Sequence, residues 1–417
     1  MKNYNHVFSR SRLTRISREL FRKILNLKLL CNMDFLEFQG SNCLRQRIIL
    51  ATLTRRKIII DQIRERNSSE YGVQKYEISL LKLIEKITNG SSILIDKNGT
   101  RITYKPGILS GGSIEHWCCL ERSIGYYLEV LIPLAPYCKI PVEACLHGIT
   151  NDTIDPSVDA IRHSSIPLLK QFFNVFDEQQ LELKIISRGL RPGGGGIVSF
   201  KCPIRKVLKP VHLMMPGKVK RIRGIAFATR VSPQIANRMV DTAKGMLLKF
   251  ITDIYIYTDH LKGKNSGKSP GFGLSLVAET TEGVFYVGEA MSKPAASESG
   301  SGSDVSIPED VARLAASNLF NDIYRGGTIN TINQGIASIF MAFTDRDLSK
   351  VIFGPLSPYT IQLLRHLKTF TSLTFKLESE SSNKDDEKDD MTMKIGSKKI
   401  QAACVGIGFR NLNKTVK

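Results

Sequence analysis

The chain has 417 residues and carries 59 Lys and Arg against 39 Asp and Glu, a formal net charge of +20. At roughly 150 residues per domain this length suggests two or three domains, and an apolar content of 42 % excludes a wholly disordered protein. The longest apolar runs fall far short of the ~20 residues of a bilayer-spanning helix, which excludes an integral membrane protein, while the charge excess favours a polyanionic partner, nucleic acid ahead of an acidic membrane surface.

Residues 1–32 form a basic N-terminal extension in which Glu19 is the only acid. Leu13, Ile16, Leu20, Phe21 and Ile24 recur at helical spacing. A genuine basic tail, a stretch upstream of the true start, and a transit peptide all fit this composition. Met33 opens the globular pattern. A helix is predicted over Asn42–Arg55 and another over Tyr76–Thr88, with Leu80, Leu83, Ile84 and Ile87 on one face. Ser92–Ile95 and Arg101–Tyr104 form a hairpin around Asn98-Gly99. After a loop over Lys105–Gly112, a helix is predicted over His116–Tyr137, a strand over Val142–His147, a helix over Ser157–Phe173 and an extended segment over Gln180–Ile186. This rhythm recurs and points to an internal structural repeat.

The texture changes at Pro216-Gly217. A basic run (Lys218, Lys220, Arg221, Arg223) leads into a strand over Gly224–Thr229 and a helix with Ser232 at the N-cap and Pro233 at N1. A strand over Asp253–Thr258, a glycine-rich loop and a hairpin (Leu274–Thr280 with Val284–Glu289) complete a small unit. A Ser- and Gly-rich exit follows over Ala295–Asp304. Residues 217–310 are therefore predicted as an inserted small α/β domain, within a larger domain made of 33–216 and 311–417. A helix starts at Pro308, residues 378–390 form an acidic low-complexity loop, and Ala402–Phe409 closes the chain as a strand.

The eight cysteines show no C-x-x-C spacing and the seven histidines are scattered, so reduced thiols and no metal site are expected. Gly263–Ser269 resembles a P-loop, but only three residues separate its glycines and it joins two predicted strands instead of feeding a helix. It is expected to be a mobile basic loop. Arg188-Gly-Leu-Arg-Pro-Gly-Gly-Gly-Gly-Ile-Val198 is the stronger signal. Consecutive glycines let a backbone approach an anion closely, and Arg188 and Arg191 add positive charge.

This run matches, position for position, the signature of the RNA 3′-terminal phosphate cyclase family: basic–Gly–x–x–Pro–x–Gly–Gly–Gly–x–aliphatic. The resemblance extends from Asp34 to the C-terminus through Leu44-Arg45, Pro106-Gly107, Gly111-Gly112 and Gln334. Stretches such as Gly267–Glu279 and Gly354–Thr360 resemble the family's cyclase-like branch. The resemblance implies an α/β (α+β) fold, with a larger domain of three repeated units, each a four-stranded sheet with two helices, and a smaller inserted α/β domain.

A true cyclase is adenylylated on a His near its C-terminal end, chemistry that needs an imidazole nitrogen facing the nucleotide α-phosphate. The matching position here is Tyr359, a phenol that is protonated at neutral pH. The early glycine loop keeps only Gly40, and Asn333 replaces the acid before Gln334. No catalytic residue and no cofactor are therefore assigned. The resemblance places Arg45, Arg188, Arg191, the backbone of Gly193, Gly194, Gly195 and Gly196, Arg365 and Lys368 in one basic pocket for RNA phosphates. It also implies a nucleolar, hence nuclear, assembly factor for the small ribosomal subunit. Its partners would be pre-rRNA, a ribosome-assembly GTPase and small-subunit processome proteins, and its role the promotion of early pre-18S processing. Pre-rRNA endonuclease activity is the alternative, with active cyclase behind it. Arg365, His366 and Lys368 would have to supply the cleaving groups, yet on a helix residue 366 points about 100° from the face shared by 365 and 368. Asp345 and Asp347 are the only close carboxylate pair nearby.

Overall fold

The computed structural model describes residues 35–67, 70–173, 181–263, 266–293, 306–379 and 398–412. The extension over 1–32 and the exit over 295–304 lie outside these residues, as does the acidic loop beyond Ser379.

The first unit runs strand Phe35–Gln39, helix α1 (Leu44–Thr54), strand Lys57–Asp61, helix α2 (Lys75–Ile87), then the hairpin Ser92–Ile95 with Ile102–Lys105. The second repeats this plan with Gly112–Trp117, α3 (Ile124–Leu134), Val142–Gly148, a helix α4 over 158–173, Glu182–Ser187 and Gly196–Cys202. Helix α4 is α-helical at Val158–Ala160, takes a π turn over Ile161–Ser165, and is α-helical again over Ile166–Phe173. The third unit opens with the short strand His212–Leu213, and the chain then leaves it. The excursion is strand Val219–Thr229, α5 (Pro233–Leu247), strands Ile254–Leu261, Gly271–Thr280 and Phe285–Met291, and α6 (Pro308–Arg325). The third unit resumes with α7 (Gln334–Ala342), Leu348–Phe353, α8 (Pro358–Thr371), Lys376–Ser379 and Ile400–Val405.

Each repeated unit has the same sheet. Its strands lie in the order first, second, fourth, third, with the first pair parallel and the other two pairs antiparallel. The expected internal repeat is thus a βαβαββ unit used three times, and the insertion falls between the first strand and first helix of its third copy. The inserted unit has its own mixed four-stranded sheet, with Val219–Thr229 at a central position.

The helices of all three units share one core. Helix α1 is buried along almost its whole circumference because it packs against both α3 and α8. Helix α3 is likewise buried along its whole length apart from Glu129, with Ile124, Leu128, Leu131 and Leu134 fully buried. Each such side chain contributes about 1.5–3 kcal/mol of burial free energy.

Several expectations need correction. The helix predicted over His116–Tyr137 begins only at Ile124; His116 and Trp117 end a strand in which Ile114 and His116 alternate inward. Strand Lys57–Asp61 stayed hidden in the sequence because its apolar run Ile58–Ile60 has no alternation. The basic run at 218–223 is itself mostly strand. The inserted unit also extends past residue 310: Val311, Ala312, Ala315, Ala316 and Leu319 of α6 belong to the core beneath its sheet.

Candidate functional site

One loop, 151–157, and the first turn of α4 supply carboxylates to the arginines singled out above. Arg188 is 2 % exposed. Its Nη1 and Nη2 donate to Asp159 at 2.6 and 2.9 Å, and its Nε donates to Asp259 of the inserted sheet at 2.7 Å. Its guanidinium carbon lies 4.7 Å from the centre of the Phe227 ring. Burial alone would raise the Asp159 pKa, but Arg188 outweighs it and holds the carboxyl below its ordinary value.

Arg191 donates to Asp152 at 3.3 Å and to the Glu121 carbonyl. Arg45 pairs with Glu129 and, at 3.4 Å, with Asp155, and stacks 4.4 Å over the Tyr126 ring. Asp155 also receives two bonds from Arg122, at 2.7 and 2.6 Å. Four arginines therefore face five carboxylates: Glu129, Asp152, Asp155, Asp159 and Asp259. This is a charge-compensated joint, which corrects the expectation that Arg45, Arg188 and Arg191 line one basic pocket. Burying these guanidinium groups required partners, and the fold supplied them.

The glycine run also has an internal task. The Gly193 N–H donates to Ser269 Oγ at 2.8 Å and the Gly194 N–H to the Leu190 carbonyl at 2.8 Å. Gly194 accepts from the Lys268 N–H at 2.8 Å, and Gly267 donates to the Arg188 carbonyl at 2.6 Å. Residues 266–269 of the P-loop look-alike are therefore seated on the glycine run. A Cβ at Gly193 would lie 2.8 Å from the Lys268 Cβ, and Gly195, at φ +87°, sits against the backbone of Gly267. Glycine is needed here because two backbones meet. Two of the four N–H groups nominated for an anion are already used.

Arg365 and Lys368 stay apart from this joint. Both are exposed on α8, where Arg365 makes a long 3.4 Å bond to Gln362. His366 turns inward, as helical geometry requires, and is 3 % exposed. Its Nδ1 lies 3.0 Å from Gln46 Oε1. Burial, with Arg47 nearby, lowers its pKa to about 4, so the ring is neutral.

Tyr359 stands in the first turn of α8. Ser357 caps that helix by accepting from the Thr360 N–H, and Gln334 Oε1 accepts from both Ser357 N and Thr360 Oγ1. The Tyr359 hydroxyl donates to Glu129, and its carbonyl accepts from Gln46 Nε2 at 2.9 Å. Burial and the Glu129 carboxylate keep the phenol well above its ordinary pKa, hence protonated. A neutral phenol committed to a carboxylate has no lone pair of imidazole character to offer a phosphorus centre.

Residues 36–377, a span that includes the glycine run and Tyr359, match the family described as RNA 3′-terminal phosphate cyclase. The chain belongs to this family. It is 52 % identical over 382 residues to the human RNA 3′-terminal phosphate cyclase-like protein, covering 92 % of this chain and 98 % of that one. It is 45 % identical over 379 residues to a probable cyclase-like protein of Drosophila melanogaster, covering 91 % and 97 %. It is 36 % identical over 383 residues to the rRNA processing protein rcl1 of Schizosaccharomyces pombe, covering 91 % and 98 %.

In this family member, sequence reasoning missed Glu129, Asp152, Asp155 and Asp159. A signal existed: Asp152, Asp155 and Asp159 recur at helical spacing just before and within α4. Among the described residues, no group of three or more His, Cys, Asp or Glu is placed to hold a metal ion. No described helix is long and apolar enough to cross a membrane.

Proposed function

We propose that this chain is a nucleolar assembly factor for the small ribosomal subunit, which binds pre-rRNA and promotes early pre-18S processing without cyclase chemistry. The observation that carries the reading is Tyr359. At the position where a true cyclase needs a nucleophilic imidazole, this chain has a protonated phenol bonded to Glu129. The Schizosaccharomyces pombe relative, named as an rRNA processing protein, supports the same direction. The charge of +20 suits an RNA partner. The exposed Arg365 and Lys368 remain as phosphate contacts on α8. A ribosome-assembly GTPase and small-subunit processome proteins are the protein partners of this reading, and the nucleus its compartment. RNA cleavage by Arg365, His366 and Lys368 gains no support, because His366 is buried, neutral and bonded to Gln46.

The test is crosslinking and sequencing of RNA bound to the tagged protein in its own cells, with co-purified proteins identified from the same sample. Enrichment of pre-18S rRNA together with processome proteins is expected. A scatter of phosphate-ended RNAs without those proteins would sink the proposal.

A further inference from the structure

The inserted sheet has two unlike faces. Helices α5 and α6 cover one, over Ile222, Ala226, Leu274 and Leu276. The other is covered in part, where Arg188 lies over Phe227, Ser157 bonds Glu289, and Val277 and Val287 pack on Ala160 of α4. Beyond that contact, sheet and α4 diverge and leave a groove of about 470 Å³. Arg162 and His163 of α4 form one wall; Arg221, Arg223 and Tyr257 stand among the residues of the other.

Strand alternation puts Arg221 and Arg223 on this face, and the parallel ladder sets Arg223 beside Tyr255 and Ile225 beside Tyr257. Tyr255 and Tyr257 are 52 % and 58 % exposed, with ring centroids 4.4 Å apart. The two rings stand side by side in solvent on one strand of this face. Arg221 pairs with Glu279 at 2.6 Å and Arg223 with Asp253 at 2.8 Å, both at partly exposed positions. Such pairs hold weakly, so a phosphate can compete for either guanidinium. Arg162 is exposed and makes no ion pair among the described residues. Exposed aromatic rings flanked by arginines are the chemistry of base stacking with phosphate contacts. An acidic peptide would satisfy the charges but leave the rings unused.

We propose that this groove binds single-stranded RNA, with a base stacked on Tyr257 and the flanking phosphates held by Arg162, Arg221 and Arg223. The proposal rests on the reading of the chain as an RNA-binding factor, but assigns the contact to a surface other than α8.

The experiment uses the full chain and a short fluorescein-labelled oligouridylate, with binding followed by anisotropy across a salt series. Tyr257→Ala should weaken binding roughly tenfold, while Tyr257→Phe, which keeps the ring, should bind like the parent. Arg162→Ala should weaken binding and flatten its salt dependence. Circular dichroism confirms that each variant is folded. Parent-like affinity of a folded Tyr257→Ala chain overturns the groove and leaves the RNA-binding reading standing. Failure of the parent chain to bind the oligouridylate at all removes both. Competition by polyglutamate equal to that of unlabelled RNA also overturns the groove, because it shows that charge alone is read.

Discussion

The Arg188 guanidinium grips Asp159 at both carboxylate oxygens and, through its third nitrogen, reaches Asp259 in the inserted unit. One side chain thereby ties the glycine run, helix α4 and the inserted sheet together. Arg188→Ala leaves Asp159 buried without its partner, an error that costs about 3–5 kcal/mol. Arg188→Lys should recover only part of this, because an ammonium cannot make the two-point contact. Chemical denaturation of the two variants checks this. A loss below about 1 kcal/mol for Arg188→Ala would show that the pair is not structural.

The Tyr359 hydroxyl is the only donor its side chain has, and it goes to Glu129. Tyr359→Phe should cost about 1.5–3 kcal/mol of stability, the range of a hydrogen bond to a charged acceptor. It should leave RNA affinity unchanged. Incubation with ATP labelled on the α-phosphate should leave both the parent and Tyr359→His unlabelled, since Arg45 and Glu129 already close on each other beside this position. A covalently labelled parent protein would restore RNA-end chemistry as its activity.

Glu289 accepts from both the N–H and the hydroxyl of Ser157, across the joint between the second unit and the insertion. Burial pushes its pKa up to about 7, against the Ser157 bonds and with help from Asp159 and Asp152. The folded protein thus binds this proton more tightly than the unfolded chain. This group's contribution is greatest below its ordinary value of 4.5 and is lost as pH rises through about 7. Glu289→Gln should stabilise the protein near about pH 8, by of order 2 kcal/mol, with little change in acid. Thermal denaturation at several pH values tests it, and a variant whose curve stays parallel to the parent's would count against it.

Arg365 and Lys368 are exposed and lack buried carboxylate partners. Replacing both with Ala should leave stability within about 0.5 kcal/mol. If they meet phosphates, the salt slope of RNA binding should fall by about 1.4, near 0.7 for each lost single-strand contact. An unchanged slope would remove α8 from the RNA surface.

Much of the architecture was readable locally. The Asn98-Gly99 hairpin pairs Ser92 with Lys105, and Ser232 caps α5 by accepting from the Gln234 N–H. These are short-range effects whose causes lie within a few residues. The start of α3 was misjudged because the apolar run Trp117–Leu120 continues past the end of the strand, and the polar Glu121-Arg122-Ser123 that precedes the helix was read as part of it. The edge of the insertion was misplaced because α6 is amphipathic, and its periodicity does not say which sheet it covers.

The sequence by itself determined the family, through the glycine run and its arginines, because that is a matter of residue identity at motif positions. Whether a charge is free was decided by tertiary structure alone. Asp159 and Asp259 lie 29 and 71 residues from Arg188, and Glu129 lies 230 residues from Tyr359. A guanidinium is closed to RNA once the fold buries it against a carboxylate, and no local pattern records which distant carboxylates will arrive.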